Sequence, residues 1–194
     1  MFESSMAHKE LEMNIYFIAD THQGHNADFI VKNNGFNTIE EYDEAIIDGI
    51  NYRAKADDML YILGDVSWKD PIGFLNKLRC KRVRIIRGNH DATLYKNKHL
   101  LPETTILLDD ITMINVEGQD IVLCHYPMVS WNKSHWGSWL LYGHVHNKEL
   151  PLKGKMFDVA PKKGYIQPYS FQQIKEIMKS LPNNWDLIKD NYNG

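Results

Sequence analysis

Apolar residues fall in two kinds of run along this chain. Ile15 to Ala19, Met59 to Leu63 and Val83 to Ile86 are short and almost wholly apolar, the pattern of strands buried on both faces of an α/β sheet. Between them the period changes. Thr38-Ile39-Glu40-Glu41 has the form of a capping box, and Ile39, Tyr42, Ile46 and Ile50 continue at helical spacing, which predicts a helix to about Ala56. Asp70-Pro71 offers an N-cap and a proline at the first helical position, ahead of the stripe Ile72, Leu75 and Leu78. Further on, Ile111 to Val116 and Ile121 to His125 predict an antiparallel hairpin across Glu117-Gly118, and Trp139 to Tyr142 a further strand. Ser170 and Gln173 form a second capping box, opening a helix with Ile174, Ile177 and Met178 on one face. No repeat, low-complexity tract or linker interrupts this pattern. Residues 14–194 therefore read as a single α/β domain, preceded by an extension over residues 1–13.

Composition narrows the class. A chain of 194 residues with 43% apolar and 24% charged content is an ordinary globular protein, which excludes disordered, collagen-like and coiled-coil classes. Cys80 and Cys124 form no C-x-x-C pair and are too few for a disulfide framework, which favours a reducing compartment. With no signal-like h-region and no membrane-length apolar run, the expected location is the cytoplasm, away from membranes. Twenty-two basic against twenty-five acidic residues give a net charge of -3, so charge does not indicate a nucleic-acid partner. Histidine is unusually frequent, with nine.

Five times an apolar strand ends in a knot of metal-binding residue types: Asp20-Thr21-His22, Gly64-Asp65, Gly88-Asn89-His90-Asp91, Cys124-His125 and Gly143-His144-Val145-His146. In an open α/β sheet the carboxyl ends of strands converge on one crevice. Residues two apart in an extended segment point the same way, so Asp20 with His22, and His144 with His146, are each expected to face one side. Carboxylate, imidazole and amide oxygen form a mixed set suited to manganese, iron or zinc and unlike a thiolate site. Asp20, His22, Asp65, Asn89, His125, His144 and His146 are too many for one tetrahedral ion and suit two ions sharing a bridge.

These blocks, D-x-H, G-D, G-N-H-D, H and G-H-x-H in this order from about Asn14 to His146, resemble the calcineurin-like metallophosphoesterase superfamily. The run D-T-H-Q-G-H at Asp20 to His25 is similar to a small, single-domain bacterial and phage-type branch of it. The resemblance implies a four-layer α/β/β/α sandwich of two mixed β-sheets flanked by helices. It also implies two divalent metal ions per chain, manganese first, with iron, zinc or nickel as alternatives. Asp20, His22, Asp65 and His146 would hold one ion and Asp65, Asn89, His125 and His144 the other, with Asp65 as the bridge.

The expected activity is hydrolysis of phosphodiesters or nucleotides by hydroxide held between the ions, with no side-chain nucleophile. His90, beside the ligand Asn89, is the expected general acid, and Asn89, His90 and His25 are expected substrate contacts. Asp91 is expected to serve a structural turn. Where related protein phosphatases carry an acidic residue and an arginine, this chain has Trp68 and Lys69, which argues against protein phosphatase activity. Trp131, Trp136 and Trp139 are read as packing under the loop after His125, with base stacking as the alternative. The basic run from Lys77 to Arg87 reads as a solvated face. Phosphomonoesterase, nuclease and non-catalytic scaffold are the competing readings; the substrate expected is a small phosphate ester or nucleotide, and oligomeric state has no signature in the chain.

Overall fold

Each predicted strand forms, most of them because alternate residues find a core on each side, whereas the strand at Ile111–Val116 buries only Val116. The computed structural model describes residues 13–184, so nearly all of the expected N-terminal extension lies outside the described residues. Strands β1 (Ile15–Ile18), β2 (Met59–Leu63), β3 (Arg82–Ile86) and β4 (Ile106–Leu107) run parallel, and β9 (Tyr169–Ser170) joins β1 antiparallel, giving the sheet order β4-β3-β2-β1-β9. The second sheet has the order β5-β6-β7-β8, from β5 (Ile111–Val116), β6 (Gln119–Cys124), β7 (Trp139–Tyr142) and β8 (Met156–Asp158). Here β5 and β6 are antiparallel, while β6, β7 and β8 are parallel. Both sheets are therefore mixed.

Period-two alternation sorts the side chains. Tyr16, Ile18, Leu60, Ile62, Val83 and Ile85 face outward onto the helices α2 (Ile39–Arg53) and α3 (Pro71–Asn76), through Tyr42, Ile46, Ile50, Phe74 and Leu75. Phe17, Ala19, Leu63 and Ile86 face inward and meet Ile121, Leu123, Trp139 and Leu141 of the second sheet. Helix α5 (Phe171–Lys179) packs into this intersheet core through Phe171, Ile174 and Met178. The outer face of the second sheet, carrying Val122, Cys124, Leu140 and Tyr142, is covered by Trp131 and the partly buried Met128, Leu150 and Leu152. Each fully buried Ile or Phe contributes about 1.5–3 kcal/mol relative to exposure.

Local signals set the helix ends. Thr38 Oγ1 accepts from Glu41 N, and Asp70 accepts from Gly73 N. The first box is displaced by one residue, because the Glu41 carboxylate accepts from Asn37 N at 3.0 Å and not from Thr38. The Ser170/Gln173 box closes in both directions. Helix α2 stops at Arg53, short of the expected Ala56, because Ala54 turns extended to lead into β2. The Glu117-Gly118 turn has positive φ at both residues, 51° and 82°, matching a two-residue hairpin between Val116 and Gln119. Short elements without a usable period escape the sequence pattern: α1 (Asp28–Val31), α4 (Ala92–Lys96), β4, β8 and β9. No helix among the described residues is long and apolar enough to cross a membrane.

Candidate metal centre

The ends of β1, β2, β3, β6 and β7 carry the five polar knots to one place. Asp20 N donates to Gly64 O and His22 N to Asp65 O, each at 2.9 Å, which zips the loops after β1 and β2 together. Five of the eight non-glycine residues with positive φ among those described are candidate ligands: Asp20 (49°), His22 (42°), Asp65 (53°), His144 (71°) and His146 (49°). Left-handed backbone is uncommon outside glycine and gathers at functional sites. It also corrects the extended-segment expectation. Asp20 and His22 converge through tight turns, and His144 and His146 face different partners instead of one side. His146 Nε2 lies 3.8 Å from Asp20 Oδ1, whereas His144 Nδ1 lies 3.0 Å from Asn89 Oδ1.

Each central carboxylate divides its oxygens between holding the loops and facing the cluster. Asp20 Oδ2 accepts from His144 N at 2.8 Å, and Asp65 Oδ1 accepts from His90 N at 2.8 Å. Asp20 Oδ1 then stands 3.6 Å from His22 Nε2, while Asp65 Oδ2 stands 3.5 Å from both His22 Nε2 and His125 Nε2. Among the described residues, two groups have ligand atoms within 4.8 Å of one another: Asp20 with His22 and His146, and Asp20 with Asp65 and His125. His125 Nδ1 donates to Leu63 O at 2.8 Å, and because a carbonyl only accepts, that bond leaves Nε2 to face the cluster. Asn89 Oδ1 lies 3.1 Å from His125 Nε2 and so joins His125 and His144 on one side. Gly64, with φ of 85°, packs so closely that a Cβ there would sit 2.6 Å from His125 Nδ1.

Charge in this setting is strongly perturbed. Burial raises Asp20 to about 6 and lowers His22 to about 4. Burial also pushes Asp65 up and His125 down, but their close approach and opposite charges, with the His90 amide on Asp65, outweigh it, leaving Asp65 at about 2 and His125 at about 9. His144 and His146 are lowered, chiefly by burial. Asp20 Oδ1 and His22 Nε2 are buried and lack any hydrogen-bond partner. Unpaired buried groups of this kind are expensive, and a bound cation satisfies a carboxylate oxygen and a neutral imidazole nitrogen together. The donor set fits a divalent cation and contains no thiolate, since Cys124 belongs to the core on the outer face of the second sheet.

The remaining expected residues take distinct places. His90 is exposed, its ring 5.8 Å from that of His22, at the mouth of the cluster. The Asp91 carboxylate accepts from Asp65 N, Val66 N and Gly88 N at 2.8–2.9 Å, a staple between the loops after β2 and β3. His25 lies 5.4 Å from His22, ring to ring, and stacks on Trp68. Trp131 and Trp139 are buried, as the packing reading holds; Trp136 is exposed but belongs with Gly118 to Asp120, at the far end of β6 from His125.

Sequence reasoning missed two supporting carboxylates. Asp43 on α2 accepts from Gly24 N at 2.8 Å and Gln23 Nε2 at 2.9 Å, fixing the loop between His22 and His25. Asp158 at the end of β8 accepts from Asn147 N at 2.7 Å and Ala160 N at 2.9 Å, fixing the loop that carries His146. Burial raises Asp158 to about 6. Asp43 was visible only as a polar helix position, and Asp158 had no local signal at all. A cavity of about 520 Å³ bounded by Leu150, Leu152 and Leu181 contains none of the candidate ligands, so its size does not mark the chemistry.

With this geometry the chain matches the calcineurin-like phosphoesterase superfamily domain over residues 13–175, and it belongs to that superfamily. The class defined by fold and site is thus that of phosphoesterases, with hydrolase activity on phosphate esters supported by the membership. It is 28% identical over 187 residues to the uncharacterized protein MJ1445 of Methanocaldococcus jannaschii, covering 90% of this chain and 88% of the relative. It is 25% identical over 162 residues to the Gene 66 protein of Mycobacterium phage L5, covering 69% and 78%. Among solved structures, the Aquifex aeolicus protein AQ665, of unknown function, is similar at 22% identity and a TM-score of 0.66, covering 85% of this chain and 99% of that one.

Proposed function

We propose that this protein hydrolyses phosphodiesters or nucleotides at a pair of divalent metal ions. Asp20, His22, Asp65 and His146 would hold one ion, and Asp65, Asn89, His125 and His144 the other. The observation that carries this reading is the pair of buried, partnerless ligand atoms Asp20 Oδ1 and His22 Nε2, 3.6 Å apart in a cluster of carboxylates and imidazoles. Bound divalent ions supply Lewis acidity and an activated water.

The chain's own residues supply the rest. His90 stands at the mouth, held through its backbone by Asp65, where its imidazole can give a proton to the leaving oxygen. Asn89 shares the mouth and supplies an amide to the ester. Room exists on both sides. Trp68 and His25 line one flank, and a cavity of about 420 Å³ bounded by Arg87, Asn89 and Tyr126 lies on the other. Two flanks suit an ester with two arms, which favours diesters over monoesters.

The test is metal analysis together with hydrolysis of bis-p-nitrophenyl and p-nitrophenyl phosphate in the presence of manganese, zinc, iron or nickel. Turnover of the diester at the higher kcat/KM is the expected result. Absence of turnover with every ion would leave the scaffold reading, and preference for the monoester would reverse the substrate assignment.

A further inference from the structure

The rim of the metal centre carries an aromatic surface that the hydrolytic chemistry does not use. Trp68 is 45% exposed although its indole lies flat on His25, with ring centres 3.9 Å apart and planes 6° from parallel. Its backbone is held by a hydrogen bond from Trp68 N to Gln23 O at 2.8 Å, within a parallel bridge between Gln23 and Ser67. The indole lies 4.9 Å from the His90 ring. Phe29, also half exposed, extends the surface edge-on to His25 at 5.4 Å and to His146 at 5.2 Å. A large aromatic side chain fixed in one place and left open to water, next to a catalytic mouth, is a feature of recognition.

Resting on the phosphoesterase reading, we propose that Trp68, backed by His25 and continued by Phe29, is the platform on which a nucleobase of the substrate stacks. A flat, polarisable face binds a planar π system of any base without needing hydrogen-bond readout. Spacing selects the ring. His25 and His90 stand 5.4 and 5.8 Å from His22, and Trp68 packs against both of them, 3.9 and 4.9 Å away ring to ring. A ring carried on a sugar is set back from the ester oxygen, which suits a platform that meets the cluster through His25 and His90. Because Trp68 flanks the proton donor, the base it binds belongs to the departing arm. The net charge of -3 favours a mononucleotide unit over a long polyanion. Position 68 is thereby a specificity residue in this chain.

The experiment measures calorimetric binding of AMP, ribose 5-phosphate and phenyl phosphate to the manganese-loaded protein and to its Trp68→Ala, Trp68→Phe and Trp136→Ala variants. In the unaltered protein AMP is expected to bind at least about tenfold tighter than ribose 5-phosphate. Trp68→Ala is expected to bring that ratio to within about twofold, Trp68→Phe to keep part of it, and Trp136→Ala, at a remote exposed tryptophan, to keep all of it. Equal binding of AMP and ribose 5-phosphate, or a preference that survives Trp68→Ala, overturns the platform. If phenyl phosphate gains the same advantage as AMP, the ring is an aryl ester and the nucleobase assignment fails. A protein that hydrolyses bis-p-nitrophenyl phosphate yet binds AMP no better than ribose 5-phosphate refutes this inference alone; one that turns over no ester refutes the phosphoesterase reading, and the AMP ratio still decides the platform.

Discussion

The backbone amide of His144 donates to Asp20 Oδ2 at 2.8 Å across 124 residues of sequence. This bond joins the end of β7 to the end of β1 and turns the other Asp20 oxygen toward His22 and His146. Gly143 makes the approach possible, since a Cβ there would collide with the Asp20 carboxylate. Gly143→Ala is therefore expected to lower the melting temperature of the metal-free protein by several degrees, the effect of about 1–3 kcal/mol of overpacking. Metal affinity should fall with it by about tenfold or more. Calorimetric titration with manganese checks this, and an unchanged affinity would separate the bond from the metal centre.

Asp65 has the central position, with one oxygen facing two histidines. Asp65→Ala is expected to reduce metal content well below that of the unaltered protein and to abolish turnover, because it removes the carboxylate oxygen that faces both His22 and His125 and leaves His125 without its partner. Elemental analysis after gel filtration reads the outcome. A variant that retained two ions per chain would contradict the bridge.

The hydrogen bond from His90 to the cluster runs through its backbone, so its side chain can be removed while that bond stays. His90→Ala should keep metal content nearly intact and lower kcat by about 10²–10⁴ on an ester with a poor leaving group. On p-nitrophenyl esters, whose leaving group needs little protonation, the loss should be smaller. Equal losses on both would argue against proton donation.

Protonation gives a further signature. In the metal-free protein, His125 at about 9 is mostly protonated at pH 7, Asp20 at about 6 is mostly ionised, and His22 at about 4 is neutral. A cation must displace the proton of His125 Nε2, so apparent affinity should rise about tenfold per pH unit between pH 7 and 9. Below pH 6 the Asp20 proton adds to the competition and the slope should steepen. Titrations in buffers of different ionisation enthalpy report the protons released. Binding between pH 7 and 8 without proton release would exclude His125 from the ligand set.

Asp158 touches none of the expected ligands through its side chain, yet it anchors Asn147, next to His146. Asp158→Asn is expected to weaken metal binding by about tenfold, through the loop that carries His146, while kcat at saturating metal recovers most of its value. A kcat loss that added metal does not restore would assign Asp158 a different role. The sign of its pH effect is also fixed. Burial raises its folded pKa to about 6, so on its account stability is lost as pH rises from about 4 to 6, and Asp158→Asn should flatten that part of the metal-free stability profile.

Much of this protein was legible in the chain because the signals were local. Thr38, Asp70 and Ser170 cap helices within three residues of themselves, period-two and period-3.6 patterns depend on nearest turns, and the metal-binding residue types stand directly after their strands. Those features determined the α/β class, the position of most elements and the candidate ligands. Tertiary structure decided how the ligands meet. The left-handed turns at Asp20, His22, Asp65, His144 and His146 separate His144 from His146 and aim Asp20 at both His22 and His146. The supports Asp43 and Asp158, and the Trp68–His25 stack, depend on contacts between loops distant in sequence. Such loop pairing follows from how two sheets pack and where their strands end, and no property of the individual residues records it.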